Sequence, residues 1–344
     1  MYLGGLDVGT SGCKITIYNE KGEFVEKQYQ EYNSNHQEGL HEIDAKNILK
    51  AVETVISDLK NKPDIMSVTS FGETFVVLDE NDNILCNSML YTDPRGEEEV
   101  SLFDKETVMK ISYYKPHGMY SLPKIAWIKN NRPDIYEKAK RILLIEDFVV
   151  YMLTGKAYIS YSLATRTMGF DIKNKTWSKT IFDMAGIDIE KMSIPAETGT
   201  VVGVSNKFGL KDTKVIVGCH DQVASAIGAG VFESGEAVDG SGSVECITPV
   251  FSKLPEDISV CDKGYSFVPY IAGKYVCYAF SYTGGTALKW YKDNFASDMS
   301  YAELDEKSKD IKTNVLTLPH FAGAATPYMD AHSKAQFANV SLEA

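Results

Sequence analysis

Residues 1–22 read MYLGGLDVGTSGCKITIYNEKG, and the step LDVGTSGCK (6–14) poses the question of the fold. An apolar run ends in Asp7 and enters a turn of Gly9, Thr10, Ser11 and Gly12, with Lys14 just beyond. Two readings fit. In one the turn is a plain hairpin, where glycines adopt unusual backbone angles and hydroxyls bond locally. In the other it is a cradle for a nucleotide phosphate: glycines admit N–H groups to phosphate oxygens, hydroxyls add donors, and Asp7 holds Mg²⁺ through water. Residues 2–8 and 14–18 predict strands, because KITIY alternates polar and apolar as a half-buried strand does.

Working outward, Asn19 to Gly22 predicts a turn and EFVEKQYQEY (23–32) a third strand. Asp44 stands where a helix through Lys60 needs an N-cap, with Ile48, Val52, Val55, Ile56 and Leu59 on one face. IMSVTSF (65–71) predicts another strand, and FVVLDENDNIL (75–85) a hairpin. Three antiparallel strands, a helix and a further strand is the order of the ribonuclease-H-like α/β fold of actin-like ATPases. From about 101 to 195 the pattern is mostly helical. KIAWIKNNRPDIYEKAKRILLIEDFVVYMLTGK (124–156) has helical apolar spacing interrupted by Pro133, and Gly155 predicts a stop. KVIVG (214–218) predicts a short buried strand running straight into a helix at HDQVASAIGAGV (220–231). VDGSGSVECITPV (238–250) predicts a second strand–turn–strand unit. Two such glycine-rich turns, more than two hundred residues apart, predict duplicated, facing domains.

Composition narrows the function. The 344 residues are 44% hydrophobic and 24% charged, enough for a two-domain chain with a substantial core. A formal net charge of −12 argues against non-specific contact with nucleic acid or anionic membrane. The six cysteines (Cys13, Cys86, Cys219, Cys246, Cys261, Cys277) are scattered with no CxxC pair, which fits free thiols in a reducing cytoplasm. RILLIEDFVVYML (141–153) is broken by Glu146 and Asp147 and falls short of a membrane span. The N-terminus carries no signal-peptide pattern, so a cytoplasmic, soluble protein is expected.

Two further groups carry chemistry. Asp221 follows the strand KVIVG and the step Cys219-His220; it reads as a helix N-cap or as a carboxylate opening into a cleft, placed to accept a proton from a substrate hydroxyl. His220 reads as its structural neighbour. Glu73 in SFGETF, with Thr92, Asp93 and Arg95 in LYTDPRG (90–96), offers carboxylates and forked donors suited to vicinal hydroxyls; the competing reading of 93–96 is a surface turn. Glu97-Glu98-Glu99 reads as a solvated helix face, and Trp127, Trp177 and Trp290 as core or cleft-wall residues.

The order of these segments carries a resemblance. MYSLPKIAWIKNN (119–131) resembles the first signature of the FGGY carbohydrate kinases at Met119, Ser121, Lys124, Ile125, Trp127, Ile128, Asn130 and Asn131. LDVGTSGCK resembles that family's first phosphate loop, LYTDPRG its substrate-side loop, and IEDFVVYMLTGK (145–156) the stretch after the signature. VGCHDQVASAIGAG (217–230) is similar to the segment with the catalytic aspartate, and LPHFAGAATPYMDAHSKAQF (318–337) to part of the second domain. Among members the chain is most similar to the xylulokinase-like kinases.

The resemblance implies ATP-dependent phosphorylation of a sugar or polyol hydroxyl, with a pentulose such as xylulose favoured and Mg²⁺ required. Asp221 would be the general base and touch the substrate, beside Glu73, Thr92, Asp93 and Arg95. Asp7 would organise the metal, while Gly9, Thr10, Ser11 and Lys14 would meet phosphates opposite Gly240, Ser241, Gly242 and Ser243. Residues 1–229 would form the N-terminal domain and 230–344 part of the second, with a homodimer left open. Four departures stand out. The second loop reads Asp239-Gly-Ser-Gly-Ser where the family has Gly-Thr-Ser. Ala324-Ala325 replace a Glu-Arg, and Ser160 a frequent aspartate. Gly72 stands where glycerol kinases have an arginine, which argues against glycerol. Family members also continue past the segment matching Ala344, so C-terminal truncation is expected, with the adenosine-binding part missing and an apolar patch exposed. The alternatives are a sugar-binding protein without turnover and a non-kinase actin-like ATPase, the latter opposed by MYSLPKIAWIKNN.

Overall fold

The computed structural model describes residues 1–344 apart from 38, 243, 331 and 342–344. The chain opens with β1 (Tyr2–Val8), β2 (Gly12–Asn19) and β3 (Phe24–Glu31), which pair as an antiparallel meander. Gly12 has a steric reason: a Cβ there would sit 2.5 Å from the Tyr29 hydroxyl oxygen. Helix α1 (Ala45–Ser57) follows, capped by the Asp44 carboxylate, which accepts the Lys46 N–H at 2.9 Å. Strand β4 (Ile65–Ser70) then lies parallel to β1. Beyond it come β5 (Phe75–Leu78), α2 (Ser121–Asn131), β6 (Arg141–Leu144), α3 (Ile145–Thr154), β7 (Val201–Ser205), β8 (Thr213–His220) and α4 (Asp221–Gly228).

The main sheet runs β7-β8-β4-β1-β2-β3, with β8 parallel to β4 and β7 antiparallel to β8. This is the ribonuclease-H-like order of actin-like ATPases. Its apolar residues, among them Leu6, Ile15, Val68 and Val217, share one buried cluster with Ile48, Val52, Val55 and Ile56 of α1 and Phe148 of α3. Burying each such side chain contributes about 1.5–3 kcal/mol.

A second sheet is antiparallel throughout: β9 (Ala237–Ser241), β10 (Glu245–Phe251), β11 (Ser266–Pro269) and β12 (Tyr275–Ser281), in the order β9-β10-β12-β11. Helices α5 (Gly285–Phe295) and α6 (Tyr301–Ser308) come next, so antiparallel strands followed by a helix occur twice in the chain. A second buried cluster joins Leu122, Ile125 and Ile128 of α2 to Val250, Val268, Val276 and Tyr278 of this sheet.

One expectation holds and others are corrected. FVVLDENDNIL folds back as a minimal hairpin, where Asp79 accepts the Asn81 and Asn83 N–H groups, Leu85 N–H donates to Val77 O at 2.9 Å and Leu78 bridges Ile84, while β5 pairs along its length with β6. RILL is therefore a strand inside the stretch read as helical; its side chains are needed on both sides of a buried two-stranded pair. Glu99 is buried, unlike its neighbours Glu97 and Glu98. Trp177 lies in the core and donates its indole N–H to Ser193 O at 2.8 Å, whereas Trp290 is 36% exposed. All six cysteines are free thiols, and no helix among the described residues is long and apolar enough to cross a membrane.

Candidate active site

Three strands of the main sheet end in one row: Val8 of β1 pairs with Ser70 of β4, which pairs with His220 of β8. The segments that follow them, Gly9–Gly12, Phe71–Glu73 and Asp221, therefore emerge side by side at the carboxyl ends of parallel strands. That is where α/β sheets offer a crevice to ligands. The backbone binds the row together, with Phe71 N–H donating to Val8 O at 3.2 Å.

The first turn closes with Gly9 N–H donating to Gly12 O at 2.9 Å, and the Tyr32 hydroxyl donates to Gly9 O. Thr10 is half-buried and Ser11 exposed, and across the hairpin Lys14 Nζ stands 3.1 Å from Asp7. Both readings of LDVGTSGCK are thus compatible with the geometry: it is a tight hairpin, and it brings Thr10, Ser11 and the Lys14–Asp7 pair to the ends of the strands.

Asp221 is the first residue of α4 rather than its N-cap, a place taken by His220. Its Oδ1 accepts the Gln222 N–H at 2.6 Å and lies 3.2 Å from His220 Nε2; among the described residues no partner is recorded for Oδ2. The side chain is 38% open, yet the surrounding protein displaces water from the carboxyl. That desolvation, with the negative charge of Asp7 added, pushes its pKa up to about 6. The β9–β10 turn approaches from the other side: a Cβ on Gly240 would lie 3.8 Å from Gln222 Oε1. Gly240 and Ser241 end β9 and Gly242 lies in the turn; Ser243 lies outside the described residues. The same turn holds the start of α5, where Gly285 N–H donates to Gly242 O at 2.7 Å. A Cβ on Gly284 would stand 2.9 Å from that oxygen, so glycine is required there.

The substrate-side residues are held more tightly than their sequence indicates. Glu73 is 4% exposed and receives the Arg166 guanidinium, with Nε donating at 2.6 Å. Arg166 lies over the rings of Tyr114, Tyr120 and Tyr278 at 5.3–5.6 Å, and the Glu73 charge beside it raises its pKa further above the usual arginine range against the cost of burial. Gly72 is bare because Arg166 and His220 lean over it; a Cβ there would be 3.0 Å from Arg166 Cγ. An arginine thus stands beside Glu73 after all, supplied from residue 166 rather than 72. Asp93 is also buried. Its oxygens accept the His41 N–H, the Arg95 N–H and the Arg95 side chain, and Arg95 also reaches Glu42 at 2.6 Å. Thr92 is exposed, with its hydroxyl 2.9 Å from His41 Nδ1.

Helix α2 explains why MYSLPKIAWIKNN has the residues it does. Lys124, fully buried, donates to the carbonyls of Asp93 and Arg95, and desolvation lowers its pKa to about 8. Ser121 Oγ donates to Glu73 O at 2.6 Å, and Trp127 lies under the Arg95 guanidinium at 5.2 Å. Gly96, at φ 98°, packs on the helix backbone, where a Cβ would be 2.9 Å from Lys124 N. One helix therefore fixes both Glu73 and the 92–96 loop.

Sequence reasoning missed Arg166, Tyr91 and Tyr278. Tyr91 is 45% exposed, and burial raises its pKa with the charges of Glu73 and Asp221 adding to it. Its place in LYTDPRG was the available signal for an aromatic wall. Arg166 and Tyr278 had no local signal. Among the described residues no cluster of three or more His, Cys, Asp or Glu is arranged to hold a metal ion.

Comparison with known proteins completes the description. Residues 2–228 match the model of the N-terminal domain of the FGGY family of carbohydrate kinases. The xylulose kinase of Lactococcus lactis is 26% identical over 367 aligned positions, covering 99% of this chain and 71% of that protein. The gluconokinase of Bacillus subtilis is 28% identical, covering 86% of this chain and 60% of that one. In fold, the ligand-bound xylulose kinase of Lactobacillus acidophilus superposes with a TM-score of 0.89 at 23% identity, over 99% of this chain and 72% of that chain.

Proposed function

The chain belongs to the FGGY family of carbohydrate kinases, and on that premise we propose that it transfers the γ-phosphoryl group of ATP to a hydroxyl of a pentulose such as xylulose, with Asp221 as general base. What supports this reading is one juxtaposition: Asp221, whose Oδ2 has no partner among the described residues, and the Gly9–Gly12 turn emerge from adjacent strand ends, with the β9–β10 turn opposite. In the reaction the substrate O–H bond breaks and its proton passes to Asp221 Oδ2. The freed oxygen forms the new bond to phosphorus as the bond to ADP breaks. With a pKa near 6, Asp221 is ionised at neutral pH and basic enough to take that proton.

Thr10, Ser11 and Lys14 meet phosphate oxygens in this proposal, with the bare backbone at Gly9 and at Gly240–Gly242 leaving room for the phosphates to approach; Ser243 belongs to the same assignment. Asp7 fits Mg²⁺ as a magnesium ion is usually held in such sites, by one or two carboxylates, water and substrate phosphate rather than by an all-protein cage. Its carboxylate is half-open and has only Lys14 as an ion-pair partner among the described residues. Mg²⁺ would neutralise phosphate charge there. On the sugar side, Thr92 and Tyr91 offer accessible groups, while Glu73, Asp93 and Arg95 shape the wall. Residues 1–229 would supply sugar, phosphate and base, and 230–344 the opposing turn. Six free thiols fit a cytoplasmic setting.

The test is Asp221→Asn, assayed with ATP, Mg²⁺ and a panel of pentuloses, gluconate and glycerol. A fall in kcat of about 10³-fold is expected; undiminished turnover overturns the assignment. A second reading, sugar binding without turnover, is favoured by α5 and α6, which bury none of their residues beside the second turn. Calorimetry showing tight Mg·ATP binding by the 344-residue chain would overturn that one.

A further inference from the structure

His220 is almost wholly buried, and each of its polar groups has a counterpart. The backbone N–H donates to Ser162 Oγ at 2.9 Å, Nδ1 is 2.9 Å from the Tyr278 hydroxyl, and Nε2 is 3.2 Å from Asp221 Oδ1. Two tautomers are available, and they are not equivalent. With the proton on Nδ1, the Nε2 lone pair would face a carboxylate oxygen, and the buried phenol proton would lose its only recorded acceptor among the described residues. With the proton on Nε2, Tyr278 donates to Nδ1 and an N–H faces Asp221 Oδ1; both buried groups are satisfied.

We propose that His220, locked as its Nε2–H tautomer by the Tyr278 hydroxyl, is a positioning residue that holds Asp221 Oδ1 and leaves Oδ2 aimed at the substrate hydroxyl. The inference rests on the reading of Asp221 as general base and adds how that base is held. Oδ1 is then doubly engaged, by Gln222 N–H and by the imidazole, so rotation of the carboxylate would cost both contacts. Tyr278 belongs to β12, so the second sheet reaches the base through a single imidazole. His220 takes and gives no proton in the cycle: desolvation, helped by Arg166 and opposed by Glu73, lowers its pKa to about 3. Burial raises the phenol of Tyr278 well above its usual range and keeps it a donor. The charged groups acting on this assembly are Asp7 and Arg166 at Asp221, and Arg166 and Glu73 at His220, and the Asp221 charge in turn acts on Tyr91.

The experiment uses the 344-residue chain with ¹⁵N-labelled imidazoles and ¹³C-labelled aspartate carboxyls, followed by NMR across pH 4–9. Wild type is expected to show His220 as one Nε2–H tautomer and Asp221 titrating near 6. In Tyr278→Phe, which removes one oxygen, both tautomers should be populated and the Asp221 midpoint should rise, by at most about 0.7, the equivalent of losing one whole hydrogen bond to the ionised form. His220→Phe should raise it similarly, and His220→Gln, which keeps an N–H donor, should restore most of the difference. Thermal melts of each variant report folding separately. An Nδ1–H tautomer in wild type, or an Asp221 midpoint unmoved in both Tyr278→Phe and His220→Phe, overturns the proposal. The two readings fail differently: full turnover in Asp221→Asn removes the base, whereas lost turnover there beside unmoved NMR signals removes only the tether.

Discussion

Helix α1 and helix α5 both carry apolar residues at helical spacing, yet they end in opposite environments. Helix α1 buries Ala45, Ile48, Ala51, Val52, Val55 and Ile56 against the meander of β2 and β3. Helix α5 buries nothing, and its Leu288, Trp290, Tyr291 and Phe295 are exposed, as are Ile311, Leu316 and Tyr328 beyond it. Its firm attachments are at its start, where Gly285 meets the second turn, and at Trp290, whose ring lies 4.7 Å from that of Phe321. The difference shows that amphipathic spacing creates a face but does not bury it; a sheet surface has to lie opposite. An apolar patch of this kind was expected from the sequence, and it sits beside the turn assigned to phosphate.

The strongest break in the comparison should come at Arg166, where the later part of the chain covers the earlier. Arg166→Met leaves the Glu73 carboxylate buried without its partner and is expected to cost about 3–5 kcal/mol in urea unfolding. Restoring much of that loss with Glu73→Gln added would show that the uncompensated charge was the cause. A cost near zero would mean that this part of the crevice is wet.

Next in size is a matched pair of truncations. Ile48→Ala in α1 should destabilise by about 3 kcal/mol, because it empties a fully buried site. Leu288→Ala in α5 should change stability by less than about 0.5 kcal/mol, as surface substitutions do. Equal losses would mean that α5 is covered in solution.

Below the loss at Ile48 comes an effect of Glu146 and Asp147, which start α3 fully buried. Glu146 accepts the Ser160 N–H at 2.9 Å and Asp147 the Ser193 hydroxyl, and each keeps one oxygen without a partner among the described residues. Burial raises Glu146 from its ordinary 4.5 to about 7 and raises Asp147 well above its own range. Between 4.5 and 7 the native state holds a proton that the unfolded chain has released. The stability from the neutral acid is therefore full below about 4.5 and lost as pH climbs towards 7. Melting curves across pH 5–7 should show wild type losing on the order of 2 kcal/mol from this group, and Glu146→Gln should flatten the slope. A wild-type slope of the opposite sign would show that Glu146 is ionised in the fold.

Much of the first sheet was legible because its signals are local. Alternation marked β2, Asp44 marked the start of α1, and Asn19–Gly22 marked the turn between β2 and β3. RILL was not legible, since a four-residue apolar run beside helical spacing has no period of its own. Its pairing with β5 joins residues more than sixty positions apart. The candidate site divides in the same way. Asp7, the Gly9–Gly12 turn, Asp221 and the LYTDPRG loop could be picked out as residue types in a pattern. The partners that hold several of them could not: Arg166 for Glu73, Lys124 for the loop carbonyls, and Tyr278 for His220.

By itself, then, the sequence determined which segments turn, which alternate and which carry carboxylates and hydroxyls at strand ends, because those properties arise from a few neighbouring residues. Tertiary structure alone decided which carboxylate is consumed and which is free. Glu73 and Asp93 read as open ligands in the sequence and are held by arginines in the fold, while Asp221 read as a cap or a base and keeps one oxygen unpaired among the described residues. The reason is physical: a carboxylate's role depends on which charges and donors lie within a few ångströms and how much water is left around it, and strand pairing across the sheet sets both.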